Sequence, residues 1–134
     1  MNHFLTLSGQ RMNIDHMAMI FRPAGKPMTC MATNVPMSLN VSVKETPEVI
    51  LKALEKAGAA REFVQLTSGN LGVGKLLVAT RHLAAYGKHT TGGSVLIFAI
   101  DGMAPEPARE TPEEIDALVE AAARPFVNGP RLAT

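Results

Sequence analysis

Apolar residues fall into two spacings along this chain. At Ile50, Ala53, Leu54 and Ala57, and again at Ile115, Leu118, Val119 and Ala122, they recur every three to four positions. That spacing puts one apolar stripe on a helix and predicts helices over 46–57 and 111–123. Both stripes follow the same start, Lys44-Glu45-Thr46-Pro47-Glu48 and Arg109-Glu110-Thr111-Pro112-Glu113. Thr is the expected N-cap, Pro takes the first helical position where no N–H is missed, and Glu faces the positive helix end. Glu114, three residues after Thr111, completes a capping box.

Elsewhere the period is two. Met37, Leu39, Val41 and Val43 alternate with Ser38, Asn40 and Ser42, which reads as a strand with one wet face. Segments 15–22 and 27–33 read as two more strands joined by the turn Pro23-Ala24-Gly25-Lys26. Ser94-Val95-Leu96-Ile97-Phe98-Ala99-Ile100 is a continuous apolar run, expected as a strand buried on both faces. Segment 103–108 carries Pro105 and Pro107, which cannot donate to a ladder, so the fourth strand there is an edge or is lost.

The paired helix starts invite a search for repetition in the rest of the chain. Phe4-Leu5-Thr6-Leu7-Ser8 parallels Phe63-Val64-Gln65-Leu66-Thr67, and each runs into a glycine. Asp15-His16-Met17-Ala18 parallels Arg81-His82-Leu83-Ala84. The spacing between matching positions widens across 69–74, which places an insertion in that glycine-rich stretch, as suits a loop. The expected fold is α+β: a unit of about four meandering strands closed by one short amphipathic helix, present twice and packed as one pseudo-symmetric body. Its units would be 2–60 and 61–123, with a tail at 124–134 that holds Pro125, Gly129 and Pro130.

This order of strand, Gly, strand, Asp-His, strands and Glu-Thr-Pro helix resembles a bacterial and phage pattern whose small members include the flagellar FlbD and SwrD proteins. The resemblance covers one repeat at a time and brings no catalytic signature. It implies a regulatory or assembly partner rather than an enzyme.

Composition narrows the classes further. Aromatics are 4 % of the 134 residues with no Trp, so the core must be aliphatic and Met-rich. Stacking platforms for single-stranded nucleic acid are therefore not expected. A net charge of +1 supplies no basic field for phosphate. A lone cysteine, Cys30, closes no internal disulfide, which points away from secreted stapled scaffolds. The start Met1-Asn2-His3-Phe4-Leu5-Thr6 has no cationic n-region, and no apolar run reaches the roughly 20 residues of a membrane span. A soluble protein, cytoplasmic or particle-associated, is expected.

The sharpest chemical motif is Gly69-Asn70-Leu71-Gly72-Val73-Gly74-Lys75, which meets the first seven positions of a phosphate-binding loop. Asp101, closing the apolar run before it, resembles a second nucleotide-binding element. A nucleotide reading would use Gly69, Gly74, Lys75 and Asp101. Against it, Leu76 stands where a Ser or Thr hydroxyl should hold Mg²⁺, and too few residues follow for the remaining parallel strands. A glycine-rich loop between strands is the expectation, with 76–88 as strands and no cofactor.

His3, His16, His82 and His89 show no metal-ligand spacing. Cys30 and Ser38, Ser42 and Ser68 sit in no nucleophile context. Seven of the eight methionines lie within the first 37 residues. Methionine fills irregular cores and also adapts binding surfaces. The interface candidates are Met17, Met19, Met37, Leu39 and Val41. The functional expectation is a non-catalytic structural or adaptor subunit of a phage particle or other bacterial assembly, its partner a protein or a second copy. A small regulatory protein is the third reading, and it lacks a basic recognition helix.

Overall fold

A computed structural model describes residues 3–35, 40–70 and 72–123. The first half runs β1 (Phe4–Leu7), β2 (Gln10–Asn13), a 3-10 turn at Ile14–His16, β3 (Met17–Phe21), β4 (Thr29–Thr33), β5 (Asn40–Val43) and α1 (Pro47–Lys56). After a 3-10 turn at Ala60–Glu62, the second half runs β6 (Phe63–Thr67), β7 (Lys75–Ala79), a 3-10 turn at Thr80–His82, β8 (Leu83–Lys88), β9 (Ser94–Phe98), β10 (Glu106–Ala108) and α2 (Pro112–Ala123). The class is α+β. Each half is a hairpin, a 3-10 turn, a three-stranded meander and a helix.

Strand register repeats with the element order. Phe4 pairs with Asn13 as Phe63 pairs with Ala79, and Met31 pairs with Val41 as Leu96 pairs with Glu106. Both meanders carry a register shift at the same place, between Met17 and Met19 and between Leu83 and Ala85. The hairpin turns differ. Ser8 and Gly9 close the first with φ of 50° and 79°, the left-handed pair that a two-residue hairpin needs. The second has a longer connection, from Thr67 at the end of β6 to Lys75 at the start of β7, in the glycine-rich stretch.

Both helix starts form as read. Thr46 Oγ accepts from Val49 N–H at 3.2 Å. Thr111 Oγ accepts from Glu114 N–H at 3.2 Å, while the Glu114 carboxylate accepts from Thr111 N–H at 2.9 Å. The glutamate before each cap has a longer reach. Glu45 accepts from Ser8 N–H at 2.9 Å and from its hydroxyl at 3.1 Å. Glu110 accepts from Thr67 N–H at 2.8 Å and from its hydroxyl at 2.9 Å. Each carboxylate thus ties the start of a helix to the end of the first hairpin strand. The Ser8 N–H holds the Glu45 carboxyl below its ordinary pKa.

The halves share a five-stranded antiparallel sheet in the order β5-β4-β3-β7-β6, joined where Met19, Ile20 and Phe21 pair with Val78, Leu77 and Leu76. On one face Leu5, Leu7, Ile50 and Leu54 pack with Ile20, Met31 and Leu77. On the other, Leu96, Phe98, Ala108 and Ile115 pack with Met19, Val64 and Val78. Hairpin β1–β2 with α1 therefore covers one face, and meander β8–β9–β10 with α2 covers the other. No described helix is long and apolar enough to cross a membrane.

Several expectations need correction. The four-strand meander is a hairpin plus a three-stranded meander, because Gln10-Arg11-Met12-Asn13 forms β2 without any apolar alternation. Strand β9 is not buried on both faces. Ser94, Leu96 and Phe98 are buried, but Ile97 is 47 % exposed, since among the described residues nothing lies over the outer face of its sheet. The strand expected over 15–22 begins only at Met17, after the 3-10 turn. Segment 103–108 does form an edge: β10 pairs with β9 alone among the named strands, with Pro107 in its middle. Segment 76–88 holds β7 and β8 separated by a 3-10 turn, as the repeat predicted, and no helix.

Candidate functional site

The phosphate-loop motif comes apart in three dimensions. Lys75 opens β7, paired with Thr67 in an antiparallel hairpin, and Leu76 is buried in the core. No helix N-terminus follows the loop, so the convergent N–H groups of a nucleotide cradle are missing there. Ser68 N–H donates to the Gly74 carbonyl at 2.6 Å, and Gly74 has a φ of 78°. Gly69 is drawn away toward β10, its N–H donating to the Pro107 carbonyl at 2.9 Å. A Cβ on Gly69 would stand 2.7 Å from that of Pro107, so only glycine fits this approach.

Lys75 instead lines an open groove of about 540 Å³ with Arg22, Lys26 and Glu48, between the β3–β4 turn and the start of α1. Gly69 lines a different groove, with His89, Thr91 and Arg109. Asp101 lies exposed in the turn after β9 and lines neither. What remains is a mildly basic groove around Lys75.

The two repeated histidines serve the joint between the halves and its neighbouring loop. His82 Nε2 lies 2.7 Å from the Asp15 carbonyl, and His16 Nδ1 lies 2.7 Å from Asn34 Oδ1. Arg81 bridges Asp15, at 2.6 Å, and Glu62. The contacts of His82 and Arg81 with Asp15 lock the 3-10 turns of the two halves together. Among the described residues no group of three His, Cys, Asp or Glu side chains converges.

Of the residues proposed for an interface, Met17 and Met19 are 1 % and 3 % exposed and belong to the core. Burial of both removes them from any surface, the cost of exposing an aliphatic-rich core being what holds them in. Val41 is half-buried in β5, an edge strand of the shared sheet. Met37 and Leu39 lie outside the described residues.

A different surface emerges when matching positions of the halves are compared. Ala18, Met19 and Ala32 of the first meander are buried because β7 and β6 extend their sheet and Leu96, Phe98, Ala108 and Ile115 of the second half lie over that face. Their counterparts Ala84, Ala85 and Ile97 are exposed. Phe63 of the second hairpin is 6 % exposed, whereas its counterpart Phe4 is 47 % exposed. Strand β3 has β4 on one side and β7 on the other, while among the described residues its counterpart β8 has only β9. Strand β7 has β6 and β3, while among the described residues its counterpart β2 has only β1. Nothing in hydropathy marks β2 as half of such a pair. Only the repeat, carried through strand by strand, locates it.

The edge chemistry is polar where the internal joint is apolar. Inside the chain, Leu77 packs with Ile20 and with Leu51 of α1. The matching residues are Arg11, Tyr86 and Asp116. Tyr86 donates its hydroxyl hydrogen bond to the Asp116 carboxylate, and that bond raises the phenol above its ordinary pKa. Comparison of the chain with family profiles, with curated proteins and with solved structures finds no match.

Proposed function

We propose that this chain is a duplicated, non-catalytic assembly subunit that works through protein–protein contact, in a phage particle or another bacterial assembly. One observation carries the reading: positions buried in the first half recur exposed in the second, beside β8, and among the described residues neither β8 nor β2 has a strand on its outer edge. Proteins that work alone blunt or cover such edges. Here β8 presents Leu83, Ala84, Ala85, Tyr86 and Gly87 before its first charge at Lys88. The resemblance of each half to the FlbD and SwrD proteins points the same way.

Multi-angle light scattering on the purified chain tests this. A mass above that of the 14.3 kDa monomer, rising with concentration, is expected. The substitution Ala85→Lys, on an exposed side chain of β8, should return the protein to a monomer without loss of helix or strand signal. A monodisperse monomer at millimolar concentration, combined with turnover of any substrate, would overturn the reading.

A further inference from the structure

We infer that copies of this chain join head to tail, the β2 edge of one copy adding to the β8 edge of the next as β7 adds to β3 inside each chain. The inference rests on the assembly reading and names its partner, a second copy. The internal joint is the template. Met19, Ile20 and Phe21 pair there with Val78, Leu77 and Leu76. Transferred through the repeated register, Ala85 meets Met12, Tyr86 meets Arg11 and Gly87 meets Gln10 of the neighbour.

The chemistry of the two edges is complementary in that register. Arg11 of the incoming strand arrives at Tyr86, whose hydroxyl already holds the Asp116 carboxylate. A guanidinium there gains an aromatic face and an anionic partner together. Met12 already packs against the core that includes Leu5 and Leu7. The uncovered side chains of Ala85 and Ile97 would extend that core, as Met19 and Ala32 extend the second core inside the chain.

A chain's own β2 does not serve its own β8. Met12 packs against the cluster on one face of the shared sheet and Tyr86 against the cluster on the other, so the sheet stands between them. Because the two edges differ, the contact is heterologous and propagates into a ring or a filament. A polar joint between copies beside an apolar joint within them makes the assembly separable while the chain stays folded.

Cysteine cross-linking tests the register. In a Cys30→Ser background, a chain carrying both Met12→Cys and Ala85→Cys should give a ladder of dimers and higher species on mild oxidation, reversed by reductant. A mixture of the two single variants should stop at the dimer. Cross-linking within one chain, or dimers formed as well by one single variant alone, would overturn the inference. Arg11→Ala and Asp116→Asn, both on exposed residues, should each weaken self-association about ten-fold, and together no more than either alone. Added salt should weaken the wild type and leave the double variant nearly unchanged. Wild-type oligomers that fail to cross-link at these positions refute this joint and leave the assembly reading standing. A wild-type chain that never associates refutes the joint together with the self-assembly it rests on.

Discussion

Thr29 and Ser94 occupy the same position in the two halves, at the pairing of the middle and last meander strands. Both side chains are buried. Ser94 donates to the Glu110 carbonyl at 2.8 Å. The Thr29 hydroxyl is buried without a hydrogen-bond partner. An unsatisfied buried hydroxyl costs free energy, while a satisfied one contributes about 1 kcal/mol net. Thr29→Val, which keeps the shape and drops the polar atom, should therefore raise stability by about 1 kcal/mol. Ser94→Ala should lower it by about as much. Urea titration of both variants checks the contrast, and equal effects of the same sign would contradict it. Neither difference is legible from the residue types, since Ser and Thr are close relatives and only the path of the neighbouring backbone decides which finds an acceptor.

At the level of elements, the loop at 68–74 is the instructive case. Its glycines satisfy a phosphate-loop spacing, but backbone N–H groups bind phosphate only when they converge at a helix start. The residues after Lys75 are Leu-Leu-Val-Ala, and all four are buried within β7. Their alternating side chains feed the two cores on opposite faces of the shared sheet, which is what commits the segment to a strand. We expect ATP or GTP with Mg²⁺ to leave the melting temperature unchanged. A ligand held at 100 times its dissociation constant would stabilise by about 2.7 kcal/mol, an easily visible shift. A shift that Lys75→Ala abolishes would mean that the groove around Lys75 and Arg22 binds the phosphates after all. Elements with their own local signals were legible throughout. Both helices announced themselves by cap and stripe, and the edge character of β10 by its prolines. Strand β2 was not, because a strand lying with polar residues at an open edge has no apolar face to advertise.

For the whole molecule, the joint at β3 and β7 makes the two halves one folding unit. Ile20 and Leu77 are buried in the cluster that holds the first helix, and Met19 and Val78 in the one that holds the second. Neither core closes without strands from the other half. Unfolding should consequently be a single cooperative transition by circular dichroism, coincident with that seen by a fluorescent probe placed in either half. Leu77→Ala should move the whole transition, costing about 2–5 kcal/mol. Two separable transitions would show that the halves fold independently.

The sequence by itself determined what depends on neighbours along the chain. The Thr-Pro-Glu helix starts, the apolar stripes, the turn at Pro23 to Lys26, the glycine-rich connection before Lys75 and the α+β class all rest on contacts within a few residues. Tertiary structure alone decided the rest. That Glu45 and Glu110 reach back to the hairpin ends, that β3 takes β7 rather than a strand of its own half, and that Met17 and Met19 fill cores instead of a surface are consequences of pairing between distant segments. Strand pairing is chosen by the backbone hydrogen bonds and buried area of the assembled sheet, and neither is written in the period of any one strand.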